Sequence, residues 1–139
     1  MVPGVFPFRY LCVKLGGEGM NTVVFYVGRI LFGGYFIHNG IRHFRHLKQM
    51  AAYTGSKGVP MSKTAVAVTG VLLLIGGLTV LLQEWVDVGL YALIAFFVPV
   101  TFTMHAFWKI QGPAAKMVEI INFGKNLALL GAVLLLLAR

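Results

Sequence analysis

Residues 22–41, TVVFYVGRILFGGYFIHNGI, form a twenty-residue run that is almost wholly apolar yet carries Arg29 near its middle. Twenty helical residues rising 1.5 Å each span about 30 Å, the thickness of a bilayer's hydrocarbon core. A cation at the bilayer centre costs about 3 kcal/mol on insertion scales, so Arg29 is expected to face protein or water and not lipid. The rest of the chain must supply those surroundings.

Three further apolar runs follow, at residues 65–82, 88–107 and 118–138. Together they predict an all-α integral membrane protein, a four-helix bundle in antiparallel up-and-down order. Hydrophobic residues make up 58% of the chain and charged ones 12%, about half the roughly 25% of soluble domains. The chain of 139 residues holds one membrane domain, expected over 20–139. Residues 1–19 carry prolines at 3 and 7, no long apolar core and no A-x-A cleavage pattern, so they read neither as a signal peptide nor as an element. The purine-rich codons of Gly16-Gly17-Glu18-Gly19, just before Met20, can spell a bacterial ribosome-binding site. Residues 1–19 are thus expected to be a poorly structured tail or a mis-assigned start.

The formal charge of +8 could suggest nucleic acid, but the cations lie mostly between the apolar runs. Seven of them, Arg42, Arg45, Lys48, Lys57, Lys63, Lys109 and Lys116, fall in the first and third connections, against three on the other side, Arg9, Lys14 and Arg139. The positive-inside rule places those connections in the cytoplasm and both termini outside, and nucleic acid is not an expected partner. Cys12 is the only cysteine. An intrachain disulfide and a CxxC pair are excluded, and with them the membrane enzymes that pass electrons from paired thiols to quinone.

Arg29, Gly33, Phe36 and Gly40 share one helical face, and Ala67, Gly70 and Gly77 form a small-residue stripe in the second span. Both are packing surfaces for a neighbouring helix. Residues 42–53 place Ile41, Phe44, Leu47 and Ala51 opposite a cationic face, the pattern of a short helix in the headgroup region. His43 and His46 read there as solvated groups; no thiol or carboxylate accompanies them and no metal site is expected. Gly55, Gly58 and Pro60 are expected to break that helix. Residues 83–88, with Glu84, Asp87 and the interfacial Trp85, demand a tight hairpin between spans two and three, and Pro99 is expected to bend span three.

Antiparallel order brings a polar layer to one depth. His38 closes span one, His105 closes span three, and Asn122, Lys125 and Asn126 open span four, all within about 5–12 Å of one face. Arg29 lies deeper and could reach toward them. Intramembrane polar groups are functional candidates, although interfacial hydration, snorkelling of Lys125 and interhelical asparagine bonds account for them equally well. Two histidines at one depth would also suit axial haem ligation, but nothing else marks a porphyrin site.

The segments Arg29-Ile-Leu-Phe-Gly-Gly…Asn39-Gly40, Gly58-Val-Pro60, Gly76-Gly77, His105-Ala-Phe-Trp108 and Phe123-Gly-Lys125-Asn126-Leu-Ala-Leu-Leu-Gly131 together resemble DoxX-family membrane proteins. The resemblance covers about residues 22–138. It implies a four-helix protein of the bacterial inner membrane, related to a subunit of thiosulfate:quinone oxidoreductase and to a subunit of a membrane oxidoreductase complex. Many relatives carry an acidic residue in the middle of span two; here Leu72-Leu73-Leu74 leaves a carboxylate-dependent role without its residue. The leading expectation is an accessory or quinone-interacting subunit of a membrane redox system. Quinone is the candidate cofactor, held by His105, Trp108, Lys125 and Asn126 with His38 and Asn122 beside them, and Arg29 favouring a reduced anionic form. No side chain of the chain carries electrons, so a soluble or membrane redox partner is implied; a homo-oligomer is a further candidate assembly. The alternatives are a non-catalytic scaffold or assembly factor, and a small transporter of a neutral or anionic solute.

Overall fold

A computed structural model describes residues 18–138, with side chains from Asn21 onward. The expectation for the first nineteen residues falls outside this range, apart from the helical backbone of residues 18 and 19. Among the described residues there are five α-helices and one 3-10 turn: α1 Glu18–Arg45, α2 Leu47–Ser56, α3 Ser62–Leu82, α4 Val86–Met104, the turn Phe107–Lys109, and α5 Pro113–Leu137. Helices α3 and α5, and the segment 86–109 that contains α4, are long and apolar enough to cross a membrane. Among the described residues the first helix is not in that set.

The packing follows chain order: α1 on α3, α3 on α4, α4 on α5, with α2 laid on α3. Glycines set the first two contacts. A Cβ at Gly33 would lie 2.8 Å from the Gly77 carbonyl oxygen, one at Gly40 3.1 Å from that of Gly70, and Gly70 itself meets His43 and Phe44. Numbers rise along α1 as they fall along α3, so the pair is antiparallel. Gly76 against Leu93 and Gly89 against Thr79 give the same sense to α3 and α4. The hairpin expected between them is there, made in three residues with Gln83 and Trp85 both left-handed. Phe102 stacks edge-on against Phe123 between α4 and α5. Extensive backbone contact runs from helix to helix in a row, and none joins α1 to α5, although both line one cavity.

Phe36, Leu73, Val80, Leu90, Leu93, Phe97 and Val133 form the core. The outer faces stay apolar, as at Val68, Val71, Ile75 and Leu78 of α3. Such faces suit lipid, where the helices satisfy their own backbone groups.

Two local expectations about helix bounds are corrected, and the expected break after the short helix is found. The first helix does not end near residue 41 but runs on to Arg45, and the short helix begins only after a break at His46. That helix passes through Gly55 and stops at Ser56, with Gly58 left-handed after it. The last helix starts at Pro113, five residues before the apolar run; proline suits the first turn because its missing N–H has no partner to lose there. Helix α4 is continuous through Pro99.

Candidate functional site

The seven cations of the first and third connections gather at one end of the row, six of them exposed. The seventh, Lys57, turns inward. It follows α2 and reaches Glu119, in the second turn of α5, with Nζ 2.7 Å from Oε1. The Tyr53 hydroxyl donates to the same oxygen at 3.1 Å, and His105 Nδ1 lies 2.8 Å from Oε2. The Lys57 ammonium and the Tyr53 hydroxyl both donate to one oxygen, which suits an ionised carboxylate. Glu119 is only 6% exposed, and a buried carboxylate persists where such partners replace its water. The hydrogen bond to Glu119 holds the Lys57 ammonium above its ordinary value of 10.5, against an opposing effect of partial burial, and Tyr53 assists.

Beside this cluster lies a cavity of about 440 Å³ between α1, α2, α3, α4 and α5, within the range of about 300–1,000 Å³ usual for small-molecule pockets. Its apolar wall comes from Phe36, Leu73, Phe96 and Phe97, with Met50 and Thr54 of α2 covering one end. Its polar wall holds Asn39 and His43 of α1, Tyr53 of α2, His105, and Asn122, Lys125 and Asn126 of α5. Lys125 Nζ donates to Asn122 Oδ1 at 3.4 Å.

Of the seven residues singled out from the sequence, His105, Asn122, Lys125 and Asn126 come together here. The other three lie elsewhere. His38 is exposed on α1 and does not line the cavity. Trp108 is half exposed and packs edge-on to Phe107 and Phe123. Arg29 sits one turn before Gly33, which meets Leu81, and so lies about level with the end of α3 and not at mid-depth. Its guanidinium rests over the rings of Phe25 and Tyr26, at 5.8 and 5.0 Å from their centroids.

Glu119, Lys57, Tyr53 and His43 were missed. His43 is not a solvated group: its Nδ1 lies 3.0 Å from the Asn39 carbonyl oxygen and its ring lines the cavity. The signal for Glu119 was present in α5, whose buried residues are Glu119, Asn126 and Val133. They are spaced seven apart, one narrow inward stripe. The buried carboxylate among the described residues thus lies on α5 and not on α3. Among the described residues no group of three or more histidine, cysteine or acidic side chains could hold a metal.

No curated protein and no solved structure matches the chain. The family model described as DoxX matches residues 24–106, from α1 through the residue after His105, and leaves α5 with Glu119 outside the match. More than half of the chain is covered, and the protein belongs to the DoxX family.

Proposed function

We propose that the protein is a four-span inner-membrane protein, with α1 as the fourth span and its basic end in the cytoplasm. In this reading it binds a quinone-type, lipid-soluble ligand as an accessory subunit of a membrane redox system. The observation that carries the reading is the cavity, lined by apolar and aromatic side chains together with several polar ones. A ring with oxygen substituents fits such a slot. Lys125 Nζ and the amides of Asn122 and Asn126 would donate to one ring oxygen, while Phe96 and Phe97 would flank the ring. When bound, a quinone would supply the two-electron chemistry that the side chains lack; the protein's own residues would orient the ring and exclude water from it. A scaffold role is the second reading. It is favoured by the N-terminal half of α1, where Val23, Val24, Val27, Ile30 and Leu31 are half exposed or more.

Partition of decylubiquinone into protein-loaded against empty lipid nanodiscs tests the first reading. Saturable binding is expected at one site per chain. Lys125→Ala should weaken it about tenfold or more, the worth of one charge-assisted hydrogen bond. Equal uptake by loaded and empty discs would remove the quinone-type ligand and leave the scaffold.

A further inference from the structure

The imidazoles of His43 and His105 line the same cavity, and the protein sets the tautomer of both. His43 Nδ1 lies 3.0 Å from a backbone carbonyl oxygen, that of Asn39. A carbonyl only accepts, so this nitrogen carries the hydrogen. His105 Nδ1 lies 2.8 Å from Glu119 Oε2, while Lys57 and Tyr53 donate to the other oxygen. An ionised carboxylate also only accepts, so His105 Nδ1 carries its hydrogen as well. In each neutral ring the second nitrogen, Nε2, is then a lone-pair acceptor.

Among the described residues neither Nε2 has a hydrogen-bond partner. Neither is sealed in, since the enclosed unpaired side-chain atoms among the described residues are Arg29 Nε and Thr101 Oγ1. Both imidazole acceptors are thus open to a ligand, and they reach the cavity from different elements: His43 from α1 and His105 from the end of α4.

We propose that the cavity selects a ligand whose ring carries hydroxyl donors, a hydroquinone or a related phenol, over the matched quinone. This rests on the quinone-type reading above and names the member of the pair that the site holds. A quinone offers only carbonyl acceptors, which would leave both Nε2 lone pairs facing oxygen lone pairs. Hydroxyl groups donate to them. A hydroxyl oxygen also still accepts from Lys125, so the reduced form loses nothing there. Each hydrogen bond of this neutral kind is worth roughly threefold to tenfold in affinity, and two together about tenfold or more. Only a binding equilibrium is involved; no bond is made or broken.

The test compares decylubiquinol with decylubiquinone, titrated anaerobically at pH 8 into the full chain in lipid nanodiscs, with empty discs as the reference. The quinol is expected to bind about tenfold tighter. Glu119→Gln replaces an obligate acceptor with an amide that can donate to Nδ1, releasing the His105 tautomer, and should narrow that ratio severalfold. His43→Phe should narrow it too while leaving the Glu119 cluster intact, which keeps the test available if Glu119→Gln fails to fold. Equal affinities in the wild type, tighter quinone binding, or a ratio that neither variant moves would overturn the selection while sparing the quinone-type reading. Uptake of neither form would overturn both.

Discussion

Glu119 holds together parts of the chain that are distant in sequence. Among the described residues from 23 onward, every side-chain hydrogen bond between residues more than four apart ends on its carboxylate. Glu119→Gln removes the charge from a buried acceptor of three bonds and should cost about 2 kcal/mol, read as a fall of several degrees in detergent melting temperature. Lys57 adds a pH dependence whose sign follows from its raised pKa. The folded state binds that proton more tightly than the unfolded chain does. The pair's contribution is therefore complete below the ordinary lysine value and is lost as pH climbs through the raised one. Melts from pH 8 to 12 should fall more steeply for the wild type than for Lys57→Met. At this scale the sequence was hard to read. Lys57 and Glu119 are 62 positions apart, and a lysine in a loop has the same local pattern whether it faces water or a carboxylate. The polar-layer reading needed only helix ends and rise per residue, and His105, Asn122, Lys125 and Asn126 do line one cavity. His38, part of the same reading, lies exposed on α1, because depth alone does not fix the helix face.

The helices themselves were legible because length and hydropathy are local. Spans two and three were read to within about three residues at each end, and the turn between them needed no long-range information. Depth was misjudged for α1, because it is set by the neighbouring helix and not by the run's own length. Gly33 meets Gly77 and Leu81, so the middle of the apolar run lies toward the end of α3 and not at its centre. The glycine stripes correctly marked the α1–α3 crossing. There the two backbones meet directly: a Cβ at Gly77 would stand 2.7 Å from the Gly33 carbonyl oxygen, whereas Gly34 has nothing within 4 Å. Gly77→Ala should destabilise the protein by about 1–3 kcal/mol, because backbone cannot move aside as a side chain can. Gly34→Ala should leave the melting temperature within a degree or two of wild type.

Across the whole molecule the basic end is a single surface, and the proposed orientation puts it in the cytoplasm. Reporter fusions after residue 139 and within residues 83–88 are then expected to signal the periplasm, and fusions within residues 57–63 the cytoplasm. Opposite signals at all three sites would invert the protein without disturbing its hairpins. The row arrangement has a further consequence, for biogenesis. Each long helix packs on the one before it, so α1, α3 and α4 can assemble as they leave the ribosome, without waiting for distant sequence. Helix α5 arrives last, bringing an acidic side chain that would be costly to leave in lipid alone. Its receptors are already in place on earlier segments: Lys57 and Tyr53 at the basic end, His105 at the foot of α4. The wall bearing Asn122, Lys125 and Asn126 comes with it. Docking of that one carboxyl group thus joins these side chains to the earlier helices, so that a nascent chain stalled before α5 lacks part of the cavity's polar lining.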